Sequence, residues 1–334
     1  MSETDNVPSG PDLAAGVPAE DVPQSGLLAG HVGGSPVLLA RLDGGFFAVS
    51  GSCTHYGGPL AEGLVADGVV QCPWHHACFS LRTGAALTAP AFAALSTWQV
   101  EVIDARVFVR GEPRTHTANA TTTATAAGID RIVILGGGAA AFAAAEKLRG
   151  LGFNGTLTLL SNDADAPCDR PNLSKDYLAG TASEDWIPLQ SPDFYREQRI
   201  DLRLDCEVVE IDIAARTVLT RAGERHPYDK LLIATGAAPV RMTLADLDRP
   251  NVVSLRTLAD ARRIIAAATR AKSVAMIGAG FISLEAAASL RARGLQVHVI
   301  AREAVPMERV LGRELGQAIT RLHQEHGVEF HFQR

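Results

Sequence analysis

The sequence predicts a multidomain protein in which a small antiparallel β-domain precedes two α/β doubly wound units, the last of them incomplete. Three observations lead to this fold class. Short β-type runs separated by glycine-rich turns fill residues 22–111. Residues 112–128 are rich in Thr and Ala, have no apolar periodicity, and are expected to be an exposed linker. From residue 129 a strand, glycine turn, helix and strand pattern occurs twice, which is typical of doubly wound units.

The bulk composition limits the function classes. A chain of 334 residues is too long for one ordinary core. A net charge of −6 offers no basic surface, which argues against nucleic acid as a partner. The sequence lacks an apolar run long enough to span a membrane and lacks a secretory signal, and its five cysteines are sparse. We therefore expect a cytoplasmic chain whose cysteines are ligands or free thiols.

The expected domain boundaries follow from these patterns. Residues 1–21 are expected to be a flexible tail, ahead of the β-domain of residues 22–111 and the linker of residues 112–128. The first α/β unit is assigned to residues 129–248 and the second to residues 249–334. Five strands are predicted in the β-domain, at Pro36–Leu42, Phe46–Ser50, Val69–Cys72, Trp98–Ile103 and Arg106–Val109.

Two short cysteine–histidine pairs carry the chemistry of the β-domain. Cys53 and His55 form the first pair, and Cys72 and His75 follow after sixteen intervening residues. Thiolates and imidazoles suit zinc or iron–sulfur clusters. One cysteine and one histidine from each loop is what a Rieske [2Fe–2S] centre requires. A structural zinc site and a disulfide between the two cysteines are the alternatives, but zinc prefers closer cysteine pairs and a disulfide leaves both histidines unexplained.

The flanks of these pairs resemble a known family. CTHYGGPLAEG and CPWHHACFSLRTG resemble the two cluster-binding loops of Rieske proteins. Trp74 stands where respiratory Rieske proteins have a second cysteine, so the resemblance implies an oxygenase- or ferredoxin-type centre, at the lower end of a range of about −150 to +300 mV. His76 stands where a glycine is usual. No ligand role is assigned to His31, His76 or His116.

A glycine turn opens the first α/β unit. The predicted strand Arg131–Leu135 is followed by Gly136, Gly138 and Ala141 in a GxGxxA pattern. The first glycine permits the tight turn, the second lets a pyrophosphate approach the backbone, and the alanine lets the helix pack on the strand. Asp163, after the next strand, is placed to accept hydrogen bonds from a ribose. A glycine-rich turn without a ligand is the alternative.

Two later segments indicate which dinucleotide this unit binds. PCDRPNLSK and LLIATGAAP resemble the flavin-binding segments of FAD-dependent pyridine-nucleotide reductases. The resemblance implies that the first unit holds FAD, that Arg170 and Lys175 lie near the flavin, and that Thr235 and Gly236 belong to the cofactor site. A cation beside the ring stabilises reduced flavin. Taken singly, both cations would more often be solvated surface charges.

The second unit repeats the turn after the predicted strand Ser273–Ile277. In the same reductases this unit binds NADH or NADPH, and the acidic residue of its helix lies near the nicotinamide. The resemblance therefore assigns the coenzyme to Gly278, Gly280, Ser283 and Glu285.

The coenzyme is left open between NADH and NADPH, with NADH favoured. An acid at the end of the next strand would select NADH, and an arginine can accommodate the phosphate of NADPH. Ala301 occupies the expected place of the acid, and Arg302 and Glu303 follow it.

The combination resembles apoptosis-inducing-factor-like reductases with an N-terminal Rieske domain, within the ferredoxin reductase-like family. This implies an FAD-dependent oxidoreductase that passes electrons from NAD(P)H through FAD to the cluster and on to a partner such as an oxygenase. Lys175 and Glu285 are its expected catalytic residues. An NAD(P)H-responsive regulatory protein with little turnover is the alternative. A disulfide reductase would need a cysteine pair, and Cys168 has no neighbour closer in sequence than Cys206.

Relatives continue beyond the point that corresponds to Arg334. The sequence is therefore expected to be a C-terminally truncated product, and its own binding of FAD and NAD(P)H is left open.

Overall fold

A computed structural model describes residues 10–115, 128–240 and 249–334. The chain divides into two compact units, residues 1–123 and residues 124–334. In the described residues the first unit consists of β-sheets with two short 3-10 helices, and the second is an α/β unit, which confirms the predicted fold class. Within the described ranges no helix combines the length and the apolar character needed to cross a membrane.

The first unit is built from short strands joined by turns. In chain order they are β1 (Val17–Pro18), β2 (Leu27–Val32), β3 (Ser35–Leu42), β4 (Gly45–Ser50), β5 (Leu64–Ala66), β6 (Val69–Gln71), β7 (Cys78–Ser80), β8 (Ser96–Ile103) and β9 (Arg106–Thr115).

These strands form two antiparallel sheets. The larger has the order β1-β9-β8-β4-β3-β2, and the smaller has the order β5-β6-β7. Successive side chains of β3 point to opposite sides of the sheet, and both sides are buried. Leu38, Ala40 and Leu42 pack into the core that contains Cys53 and Cys72. The alternate residues of β3 pack into a second core on the other face. The two cysteines therefore lie in a buried apolar core.

Two predicted boundaries of the β-domain are wrong. Its start at residue 22 is too late, because Leu13 is fully buried and Val17 pairs with Val107 of β9. This stretch is short and contains Gly and Pro, so it shows no strand alternation. Its end at residue 111 is too early, because β9 continues to Thr115 after an irregularity in the pairing. The five predicted strands are present, and β1, β2, β5 and β7 were not predicted.

The second unit contains ten strands and six helices in the described ranges. The strands are β10 (Arg131–Leu135), β11 (Thr156–Leu160), β12 (Ile200–Arg203), β13 (Val208–Asp212), β14 (Thr217–Thr220), β15 (Arg225–Pro227), β16 (Lys230–Ile233), β17 (Ser273–Ile277), β18 (Gln296–Ala301) and β19 (Val328–Phe332). The helices are α1 (Ala139–Gly150), α2 (Asp176–Ala179), α3 (Pro192–Glu197), α4 (Leu258–Ala268), α5 (Phe281–Ala292) and α6 (Glu308–Glu325).

Two parallel sheets dominate this unit. One has the order β12-β11-β10-β16, the other has the order β17-β18-β19, and β13, β14 and β15 form a small antiparallel sheet. The first turn follows β10, the second follows β17, and each leads into a helix, α1 or α5. Both predicted dinucleotide turns therefore lie at the carboxyl end of a parallel strand, where ligands bind in open α/β sheets.

Some predictions fall outside the described residues. The boundary predicted at residue 248 lies in residues 241–248. Most of the predicted linker and His116 lie in residues 116–127.

Candidate redox centre and dinucleotide turns

The two cysteine–histidine loops share one backbone design. In the first loop the amide of Gly57 donates to the carbonyl of Cys53 at 2.8 Å, and in the second the amide of His76 donates to the carbonyl of Cys72 at 3.1 Å. Gly57 has φ +70° and His76 has φ +63°. Each loop therefore turns back through a left-handed residue four positions after its cysteine. His76 adopts this left-handed conformation although it has a side chain, which glycine lacks.

These loops bring the four predicted ligands together. The thiols of Cys53 and Cys72 are in hydrogen-bond contact. The rings of His55 and His75 have centroids 5.0 Å apart in an edge-on arrangement. Both cysteines are buried, whereas His55 is half-buried and His75 is exposed. The site thus has a dry thiol end and an imidazole end that faces solvent.

Burial and the neighbouring thiol determine the protonation of Cys53. Desolvation is the largest cause that raises its pKa to about 11, and the Cys72 thiol adds to it. The backbone amides of His55 and Tyr56 donate toward the Cys53 sulfur and act in the opposite direction. These amides stabilise negative charge on the sulfur, and a bound metal ion would make the same thiol a thiolate.

Gly58 is a site residue that the sequence patterns did not single out. A Cβ at this position would lie 2.8 Å from the Cys72 sulfur and 3.2 Å from the Trp74 ring. The first loop can therefore pass the second cysteine only with glycine here. The GG pair after Tyr56 was the available signal, but the clash depends on a residue of the other loop.

The donor set fits the predicted cluster. All five cysteines of the chain lie in the described ranges and are free thiols, so the alternative disulfide is not formed. Two thiols and two imidazoles on adjoining loops are the donors that a Rieske [2Fe–2S] cluster uses.

The first glycine turn has the geometry of a phosphate-binding loop. Gly136 has φ +127°, and a Cβ there would lie 2.2 Å from the carbonyl oxygen of Ala234. A Cβ on Gly138 would meet nothing within 4 Å, so space is open in front of the first residues of α1. Ala141 is fully buried. The N-terminus of α1 thus presents backbone N–H groups to open space.

Gly137 is a second residue that the sequence patterns missed. Its Cβ would lie 2.1 Å from the hydroxyl of Ser161 at the end of β11. The signal was present in the GGG run, but the GxGxxA pattern leaves this position free. The constraint comes from the neighbouring strand.

A cleft of about 440 Å³ lies beside this turn. Gly136, Asp163, Arg170 and Thr235, all predicted for the FAD site, line it. Arg170 donates to Asp163 at 3.0 Å, with both side chains one-quarter exposed. The carboxylate predicted to contact a ribose is therefore held in place by the predicted flavin-side arginine. Gly236 follows with φ +69°.

The second turn repeats the first. Gly278 has φ +99°, and Gly280 caps α5 with an extended backbone, as Gly138 caps α1. A Cβ on either Gly278 or Gly280 would meet nothing within 4 Å. Ser283 is half-buried in the first turn of α5.

The two predicted catalytic residues form an ion pair. Lys175 Nζ lies 3.1 Å from Glu285 Oε1, and the side chains are 47% and 31% exposed. The hydroxyl of Ser174 donates to Glu285 Oε2 at 2.6 Å. The structure therefore joins the flavin-side segment to the helix of the second turn, which sequence spacing alone cannot indicate.

The sequence matches two known families. Residues 130–334 match the pyridine nucleotide-disulphide oxidoreductase family, and residues 15–99 match the Rieske [2Fe-2S] domain. The first match covers more than half of the chain. The chain belongs to the pyridine nucleotide-disulphide oxidoreductase family. It carries a Rieske domain ahead of the reductase unit, which confirms the predicted resemblance.

The chain is similar to curated proteins that include an apoptosis-inducing factor and a ferredoxin--NAD(+) reductase component. Apoptosis-inducing factor 3 of Homo sapiens is 32% identical over 312 residues, which are 91% of this chain and 51% of the relative. The ferredoxin--NAD(+) reductase component of the p-cumate 2,3-dioxygenase system of Pseudomonas putida is 37% identical over 61% of this chain and 50% of its own length. This chain spans about half the length of these relatives.

Solved structures of this family agree. In the covalent putidaredoxin reductase–putidaredoxin complex, one chain is 32% identical and has a TM-score of 0.59. The match covers 61% of this chain and 50% of that chain. The reductase unit thus has the fold of a ferredoxin reductase.

Cys168 is the cysteine that the sequence analysis considered for disulfide chemistry. Cys168 is buried, burial raises its pKa to about 11, and it forms no disulfide. Its neighbours in the core are Leu173, Tyr177 and Ile187. Cys168 therefore packs as part of this apolar core.

Proposed function

We propose that this protein passes electrons from NADH through FAD to its Rieske cluster and then to a separate acceptor protein, such as an oxygenase component. One observation carries the proposal. A single chain brings two thiols and two imidazoles together in its first unit, and its second unit holds two glycine turns and the Lys175–Glu285 pair, which joins the helix of the second turn to the segment that ends at Lys175. FAD, when bound, supplies the conversion between a two-electron hydride donor and a one-electron cluster.

In this proposal Cys53 and Cys72 would ligate one iron of the cluster, and His55 and His75 would ligate the other. The apolar core around the two cysteines excludes water from the thiolate side. The exposed imidazole of His75 leaves the other side accessible to an electron-transfer partner. Because imidazole is neutral, this ligand set makes the cluster easier to reduce than one with four thiolates.

The proposed FAD site uses the cleft of the first turn. Gly136, Gly138 and Ala141 shape the turn and leave the N–H groups of α1 free for the pyrophosphate. Asp163 is positioned by Arg170 to accept hydrogen bonds from the ribose. Thr235 lies in the wall of the same cleft. Gly236 follows it in the chain and is assigned to the same site.

Lys175 and Glu285 are proposed to act as a pair. The ammonium of Lys175 provides positive charge beside the flavin, and Glu285 restrains its position. The second turn, Gly278 to Ser283, holds the coenzyme so that its nicotinamide comes near this pair.

We propose NADH rather than NADPH as the electron donor. Two relatives that match the second unit are named as NAD(+) reductases: one is a ferredoxin--NAD(+) reductase component and the other a rubredoxin-NAD(+) reductase. Glu303 lies just beyond β18 and is half-buried. The exposed Arg302 is the feature that favours NADPH, so comparison of KM for the two coenzymes tests this part.

We place the protein in the cytoplasm, because its cysteines are free thiols and its proposed donor is a soluble coenzyme.

Anaerobic titration of the purified full chain tests the proposal. Dithionite should produce the electron paramagnetic resonance signal of one reduced [2Fe–2S] cluster, and Cys53→Ser should abolish it. NADH with added FAD should then produce the same signal. Lys175→Met should slow this reduction at least about tenfold, whereas Lys272→Met, which changes an exposed lysine elsewhere, should not.

The outcomes separate the parts of the proposal. A protein without iron after anaerobic reconstitution would overturn the cluster. A cluster that dithionite reduces but NADH with FAD does not would overturn the electron path. One slow reduction without continued NADH oxidation, when a one-electron acceptor is supplied, would favour the regulatory alternative.

A further inference from the structure

Two histidines and a glutamate meet on the exposed face of the sheet formed by β17, β18 and β19. His298 of β18 is paired in register with Glu329 of β19, and Ile300 is paired with His331. Alternate residues of a strand share a face, so the three polar side chains lie on the same side of the sheet. Glu329 and His331 are exposed, and His298 is half-buried. The proposed electron path does not use them.

The donor atoms of these side chains converge on one point. His298 Nδ1 lies 3.2 Å from His331 Nε2 and 3.3 Å from Glu329 Oε2. One donor atom from each residue lies within 4.8 Å of the other two. In a tetrahedral zinc site, bonds of about 2.0–2.1 Å place neighbouring donor atoms about 3.3 Å apart. Two of the three separations therefore have the length of a tetrahedral edge.

Hydrogen bonds among these three side chains satisfy their donor atoms less well than a bound cation would. His298 Nδ1 carries either one proton or one lone pair. With a proton it must divide a single donor between an imidazole nitrogen and a carboxylate. With a lone pair it accepts from His331 but faces the lone pairs of Glu329. A cation at the centre is attractive to all three donors.

We propose that His298, Glu329 and His331 form a binding site for a divalent cation of borderline softness, with Zn²⁺ as the fitting ion. Two imidazoles and one carboxylate are ligands that zinc accepts. The exposed location leaves a fourth position for water or an external ligand. Because the ligands come from two adjacent strands, the bound ion ties β19 to β18.

Zinc competition tests the site on the full chain with its iron–sulfur cluster loaded. Zn²⁺ is titrated in the presence of a chromophoric chelator, and iron is measured before and after. The wild-type chain should bind one equivalent. His298→Ala and His331→Ala should each weaken binding at least about tenfold. His326→Ala removes another exposed imidazole, at the end of α6, and should leave zinc affinity unchanged.

A second measurement guards against misfolded variants. Zinc that binds only the folded state raises the midpoint of thermal unfolding. This rise should occur in the wild-type chain and in His326→Ala, and it should be absent in His298→Ala. Equal zinc affinity in the wild-type chain and in both site variants would overturn the proposal, as would zinc uptake matched by iron release.

Discussion

The two cluster-binding loops allow backbone strain to be tested by two opposite substitutions, one in each loop. His76 and Gly57 occupy equivalent positions with φ +63° and φ +70°. Both residues are exposed, and a Cβ on Gly57 would meet nothing within 4 Å. Exchange of side chains at these positions therefore changes backbone preference and little else. We predict that His76→Gly stabilises the β-domain and that Gly57→Ala destabilises it.

The magnitude follows from two opposing effects. A non-glycine residue in the left-handed region costs about 1–2 kcal/mol. Glycine loses more chain entropy on folding, which offsets about 0.5–1 kcal/mol. The net change should be about 0.5–1 kcal/mol, positive for His76→Gly and negative for Gly57→Ala. For a domain of about 100 residues this corresponds to roughly 2–8 °C in Tm.

Thermal unfolding of the cluster-loaded protein, followed by the visible absorption of the cluster and by far-ultraviolet circular dichroism, measures both variants. Iron content and the resonance spectrum of the reduced cluster should be unchanged, because neither substitution removes a proposed ligand. A lower Tm for His76→Gly would show that the imidazole contributes more than its backbone costs. An unchanged Tm for Gly57→Ala would refute the strain argument itself.

Three further predictions concern the reductase unit. Gly137→Ala places a Cβ 2.1 Å from a serine hydroxyl and should lower the free energy of unfolding in urea by about 1–3 kcal/mol. The control Gly138→Ala should fold normally but bind FAD more weakly in fluorescence titration. Equal stabilities of the two variants would contradict this prediction. The Arg131 guanidinium and two backbone amides lower the pKa of Asp229 to about 2. The stability that this charge contributes is complete above the ordinary pKa of 3.8 and is lost as pH falls toward 2. The urea midpoint of Asp229→Asn should therefore change less between pH 5 and 2 than that of the wild-type protein. An equal change in both proteins would contradict this prediction. Burial raises the pKa of Glu146 to about 7 from 4.5, so stability is lost as pH rises between these values; Glu146→Gln should raise the midpoint more at pH 8 than at pH 4, and a gain independent of pH would refute this.

The strands that precede the two glycine turns were predictable because each is an apolar run that ends at glycine, although only Arg131–Leu135 is buried along most of its length. Arg131–Leu135 and Ser273–Ile277 have the bounds that the sequence indicated. Parallel strands covered by helices read as continuous apolar runs that end at glycine or polar residues. Strand β1, by contrast, has two residues in a segment rich in Gly and Pro, and its burial depends on a partner strand near residue 107.

The site was predictable in its residue types but not in its contacts. Cysteine and histidine spacing indicated the cluster ligands because each loop is local in sequence. The requirements for Gly58 and Gly137 arise from Cys72 and Ser161, which approach them only in the folded chain. The departure from glycine at His76 was visible in the sequence, but its left-handed conformation became apparent only with the backbone of the closed loop.

Hydrogen bonds and an ion pair join α5 to the segment that the proposal places beside the flavin. Ser289 donates to the carbonyl oxygens of Ser174 and Lys175 at 2.8 and 3.0 Å, and Ser174 donates to Glu285. With the Lys175–Glu285 ion pair, these bonds fix the helix of the second turn against the segment that the proposal places beside the flavin. An exposed ion pair contributes little stability by itself. Its value here is positional, since Glu285 also accepts from Ser174 and Ser289 holds the backbone of Ser174 and Lys175, so the pair would need little reorganisation in the proposed hydride transfer.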